Sequence, residues 1–114
     1  MTTIGEALTA FEDEWIESLA FTPHTSYSRT LRLFRMELGD RVDQPFGTLS
    51  ADDLRGFVLW HREHSLSDSA EGTRKAAVHI ARLGEFLAEH YGAPDLAIPR
   101  DELRALAPDT ENAA

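Results

Sequence analysis

Cysteine is absent from this chain of 114 residues. That excludes disulfides and zinc–thiolate sites and makes the cytoplasm the expected compartment. Lysine is nearly absent: Lys75 stands alone against ten arginines. No apolar run approaches the roughly 20 residues that span a bilayer. Met1 to Gly5 carries no basic stretch of the kind that opens a secretory leader. Period-two alternation, the mark of a half-buried strand, is missing. So are a glycine-rich phosphate loop and a Ser/His/Asp arrangement. A cofactor, a small-molecule substrate and membrane attachment are therefore not expected.

What the chain does have is apolar residues at 42% of its length, enough for one modest core. Its net charge is −9, and the charge is unevenly spread. From Met1 to Phe21 there are five acids and no base. From Thr22 to Gly39 there are three arginines and one acid, making this the one net-positive stretch. Within Ser67 to Gly92, Arg74, Lys75 and Arg82 lie close in sequence. The acid-rich, lysine-poor balance is that of proteins from a high-salt cytoplasm, or of a GC-rich genome that favours arginine codons.

The hydrophobic period is helical throughout. Ile4, Leu8, Phe11, Trp15 and Leu19 predict a first helix over Ile4 to Ala20. Thr22 as N-cap and Pro23 at the first helical position predict a second over Pro23 to Leu38, closed by Gly39. Its core stripe is Tyr27, Leu31, Phe34 and Leu38. Asp40 to Leu49 reads as a loop broken by Pro45 and Gly47. Ser50 and Asp53 form a capping-box pattern ahead of a third helix to His64. A turn over Ser65 to Ser69, capped by Ser67 or Asp68, leads to a fourth helix ending at Tyr91. Ala76, Ile80, Leu83, Leu87 and Tyr91 form its stripe. The expected architecture is an all-α, compact four-helix bundle over residues 1–92. Residues 93–114, punctuated by Pro94, Pro99 and Pro108, read as a linker with a short helix from Arg100 to Ala107.

Three stretches, in this order, carry a resemblance. They are Thr22-Pro23-His24-Thr25 with Arg29, Leu31, Arg32 and Phe34; Leu49-Ser50-Ala51-Asp52-Asp53-Leu54 with Phe57; and Leu66-Ser67-Asp68-Ser69 with Thr73, Arg74, Lys75, Leu83, Phe86 and Leu87. Together they resemble the N-terminal core-binding (SAM-like) domain of tyrosine recombinases, the phage-integrase family. The resemblance covers about Ile4 to Arg100. It implies one jaw of a clamp on double-stranded DNA, with the second and fourth helices toward the major groove and the first toward another recombinase protomer. Carried over by position, the DNA contacts would be Thr25, Ser28, Arg29, Arg32 and Arg35 on the second helix. On the fourth they would be Thr73, Arg74, Lys75, His79 and Arg82. Arginine suits both phosphate and guanine, and hydroxyls suit phosphate.

The resemblance also implies a parent enzyme that cuts DNA with a tyrosine nucleophile in a separate catalytic domain. No catalytic residue is expected in this chain. His79-x-x-Arg82 and the stretch Ala81 to Glu85 mimic the family's catalytic boxes, but they overlap in one helix, and Tyr91 lies on its apolar stripe. His61 and His64 stand one turn apart without a third ligand, so no metal is expected. The alternative function is a helical protein–protein interaction module or recombinase regulator, which the acidic first helix favours.

Overall fold

The computed structural model describes residues 2–64 and 70–107. The turn expected over 65–69, with its capping residues, and the tail from Pro108 lie outside the described residues. The described chain is all-α, with five α-helices, four short 3₁₀ turns and no strand among those residues. It forms two compact units, Met1–Ser50 and Ala51–Ala114.

In the first unit, α1 spans Ile4–Glu14. It starts where Thr3 and Glu6 cap each other: the Glu6 amide donates to the Thr3 hydroxyl at 3.1 Å and the Thr3 amide to the Glu6 carboxylate at 2.8 Å. That capping box satisfies two donors the helix would otherwise leave open, and it holds the Glu6 carboxyl below its ordinary pKa. Ile4, Ala7, Leu8 and Phe11 are buried. The helix ends at Glu14, not Ala20, and tightens into a 3₁₀ turn over Ile16–Ser18 that buries Ile16. The Ser18 hydroxyl donates to the Trp15 carbonyl at 2.6 Å. Trp15 stacks on Phe11 at 5.2 Å and meets Tyr27 edge-on at 4.8 Å. Aromatic packing thus overrides the apolar period that pointed to a longer helix.

Helix α2 spans Phe21–Leu38, two residues earlier than Pro23 predicts. Ala20 takes the N-cap position, and Pro23 sits in the first turn, where no backbone donor is needed. Leu31, Phe34 and Leu38 are buried as the period requires, while Tyr27 is half-buried. Gly39, at φ 59°, ends the helix in a conformation that L side chains rarely adopt. The stretch after it is two 3₁₀ turns, Gly39–Asp43 and Phe46–Thr48. They hold against the start of α1 through Ile4 N–H to the Gln44 carbonyl, 2.9 Å, and Phe46 N–H to the Thr2 carbonyl, 2.8 Å.

In the second unit, α3 spans Ala51–His64 and α4 spans Ala70–Tyr91. Leu54, Phe57 and Val58 of α3 are buried, as are Ala76, Ala77, Ile80, Leu83, Phe86 and Leu87 of α4. Each large side chain among them contributes about 1.5–3 kcal/mol by leaving water. The segment after Ala93 is not a free linker as far as Ala107. A 3₁₀ turn over Pro94–Leu96 and a short α5 over Arg100–Arg104 bury Leu96, Ile98 and Leu103. Arg55 of α3 ion-pairs with Glu102 of α5 at 2.7 Å, and Arg62 donates to the Leu106 carbonyl at 3.0 Å. Three apolar residues spaced between prolines bury against α4 because the prolines shape turns and do not forbid packing.

Candidate nucleic-acid interface

The resemblance places ten side chains toward DNA. Five lie on α2 in the first unit and five on α4 in the second.

On α2, Thr25, Arg29 and Arg32 are exposed and Ser28 is half-buried. Neither Arg29 nor Arg32 has a hydrogen-bond or ion-pair partner among the described residues. Thr25 donates its hydroxyl to the Phe21 carbonyl at 3.0 Å. Arg35 differs. It ion-pairs with Glu12 of α1, donates to the Thr9 hydroxyl at 3.0 Å, and is half-buried. Its guanidinium ties α1 to α2, and the assignment of Arg35 to DNA is corrected on that ground. It also lines an open cleft of about 500 Å³ beside Glu6 and Asp43, whose acids oppose an anionic ligand.

On α4 the set thins further. Thr73 is 1% exposed and its hydroxyl shares a 2.9 Å hydrogen bond with His61 Nδ1. His79 is 9% exposed. Both residues are therefore removed from the contact set: each faces the interior, where no phosphate reaches. Arg82 is exposed but engages Glu85 one turn on at 3.3 Å. Arg74 is half-buried and engaged. Lys75 remains, exposed and unpaired among the described residues.

The contrast between helices comes from where the acids fall. The exposed side of α2 runs Phe21, Thr25, Arg29, Arg32, Met36 at steps of four, four, three and four, and holds no acid. The one acid of that helix, Glu37, is half-buried and engaged. In α5, by comparison, exposed Arg100 and Arg104 alternate with exposed Asp101 and Glu102. Neither arginine belongs to the expected contact set, because the prolines around them mark the segment as linker.

No protein-family model, curated protein or solved structure matches the chain. The surface of α2 is the part of the expected site where two cations, Arg29 and Arg32, stand one turn apart without a partner among the described residues.

The histidines settle into local roles. His64 Nδ1 donates to the Trp60 carbonyl at 3.0 Å while its ring stacks on Trp60 at 5.2 Å. No group of three His, Asp or Glu side chains suited to a metal occurs among the described residues. No helix of the described chain is long and apolar enough to cross a membrane.

Burial pushes the His79 imidazole down to about 4, and the Lys75 ammonium one turn back adds to the shift. The folded chain thus holds His79 neutral, whereas the unfolded chain protonates it below about 6.5. Between those values the unfolded state binds more protons, so stability is fully present above pH 6.5 and is lost as pH falls toward 4. The expected contribution is a slope of at most about 1.4 kcal/mol per pH unit. Urea denaturation of the parent and of His79→Gln at intervals from pH 7 to 4 isolates it. The variant should show the shallower fall, and equal slopes would contradict a buried neutral imidazole.

Proposed function

We infer that this chain is a non-catalytic DNA-binding domain of the kind found in tyrosine recombinases, with α2 as the helix that faces double-stranded DNA. Helices α1 to α4 correspond to the four-helix, SAM-like bundle of that family. A parent recombinase in the cytoplasm would supply the tyrosine nucleophile elsewhere, and other protomers would assemble on the same site. The observation that carries this reading is the pair Arg29 and Arg32. Both are exposed, unpaired among the described residues and one turn apart on a stripe without acids. An arginine kept clear of carboxylates in a chain of net charge −9 is available to a phosphate.

The test is a mobility-shift titration with duplex DNA over a range of salt. Affinity should fall steeply with salt, and Arg29→Ala with Arg32→Ala should flatten the log–log slope by about two, close to one released counterion per lost contact. Binding that ignores both replacements removes α2 from the interface.

The second reading is a protein-docking module or recombinase regulator. It is favoured by the exposed acids Asp13 and Glu14 of α1 and Glu17 in the turn after it, which repel a phosphate backbone and suit a basic protein surface. Under that reading, duplex titrations give no salt-dependent shift at all.

A further inference from the structure

We propose that the exposed stripe of α2 grips a nucleic-acid strand with unpaired bases, Phe21 serving as the platform on which one base stacks. The proposal rests on the nucleic-acid reading of α2, from which it takes the phosphate contacts of Arg29 and Arg32, and departs from it in the form of the ligand, an unpaired strand in place of a closed duplex. Phe21 is 85% exposed at the first position of the helix. Met36, at the other end of the same stripe, is 65% exposed. Between them the stripe is polar: Thr25, Arg29 and Arg32. At about 1.5 Å of rise per residue, Arg29 lies roughly 12 Å along the axis from Phe21 and Arg32 roughly 16 Å.

That order of groups selects among anionic partners. A closed duplex turns its phosphate ridges outward and keeps its base faces stacked on one another, so it gives the Phe21 ring no flat apolar surface. An unpaired base offers its whole face, and stacking on an aromatic ring tolerates any base. Arginines a short distance further along the helix then meet the phosphates of the same strand. An acidic amphipathic peptide fits less well. Such a helix docks through apolar anchors at three- and four-residue steps, and the fifteen-residue interval from Phe21 to Met36 holds none on this stripe.

The experiment is fluorescence anisotropy with the whole chain at low salt, using a labelled pyrimidine oligonucleotide of about 20 nucleotides and the blunt duplex of the same sequence. The single strand should bind more tightly than the duplex. Phe21→Ala should weaken strand binding about tenfold and leave duplex binding unchanged, while Phe21→Trp should keep strand binding. Phe21 is exposed, so circular dichroism should find both variants folded. A duplex preferred over the strand, with Phe21→Ala silent on both, overturns the stacking platform and leaves the DNA reading standing. No binding of either ligand, with Arg29→Ala and Arg32→Ala indistinguishable from the parent, overturns both. A loss of self-association in Phe21→Ala, seen by sedimentation, would assign the ring to a second copy of the chain and overturn the proposal.

Discussion

Replacing Gly84 with alanine should lower the stability of the chain by about 3 kcal/mol, the upper part of the usual cost of overpacking. Ordinarily the exchange would help, because alanine is favoured over glycine inside a helix by about 1 kcal/mol. Here the added methyl has no room. A Cβ at position 84 would stand 2.1 Å from the Leu96 carbonyl oxygen and 3.3 Å from Leu54 Cδ1. The first contact is with backbone, so a change of rotamer cannot relieve it. The Pro94–Leu96 turn would have to lift from α4, taking buried Leu96 and Ile98 with it. In a domain this small the loss should appear as a fall in melting temperature of about 10 °C or more. Thermal and urea denaturation of Gly84→Ala measure it. A variant as stable as the parent would mean that the turn does not rest on the helix.

The same glycine shows how far the sequence could be read. Helices α3 and α4 were legible because their apolar residues repeat at helical spacing and each buries one face. Gly39 was legible as a stop because its conformation is local. The end of α1 was not, since Trp15 and Leu19 continue the apolar period while Trp15 is in fact held by the rings of Phe11 and Tyr27. A glycine in mid-helix is itself a signal that another backbone comes close. Gly84 and the apolar residues Leu96, Ile98 and Leu103 could together have announced that the chain folds back on α4. The prolines between them drew the opposite reading.

The candidate site was legible in part for a similar reason. Helical spacing places Thr25, Arg29 and Arg32 on the open side of α2, because that follows from the position of the core stripe alone. Whether an arginine is free depends on acids brought near by tertiary folding, which spacing cannot reveal. Glu12 is 23 residues from Arg35 in sequence and pairs with it. Thr73 and His79 share the polar character of surface residues, yet α4 is so widely covered that both are buried. Their burial leaves Lys75 as the unpaired cation of the expected set on α4 among the described residues, against Arg29 and Arg32 on α2.

Leu103→Asp should cost about 4 kcal/mol, enough to leave much of a marginal domain unfolded. Leu103 lies in α5, in a stretch that composition alone presents as a solvated linker, where aspartate would be harmless. In the fold it is fully buried. Truncating such a leucine costs about 2–5 kcal/mol, and placing an unpaired carboxylate in the vacated space adds a desolvation penalty. The surface pairs around it cannot compensate. Arg55 with Glu102 and Arg55 with Asp52 lie in contact with solvent, which screens pairs of that kind so that they add little. The effect should therefore follow the buried side chain and spare its exposed neighbour. Urea denaturation of Leu103→Asp beside Arg104→Ala separates the two cases: the first should lose most of its stability and the second almost none. Were both variants as stable as the parent, α5 would be a tether and the second unit would end near Tyr91. A large loss confined to Leu103→Asp makes α5 part of the core of the second unit.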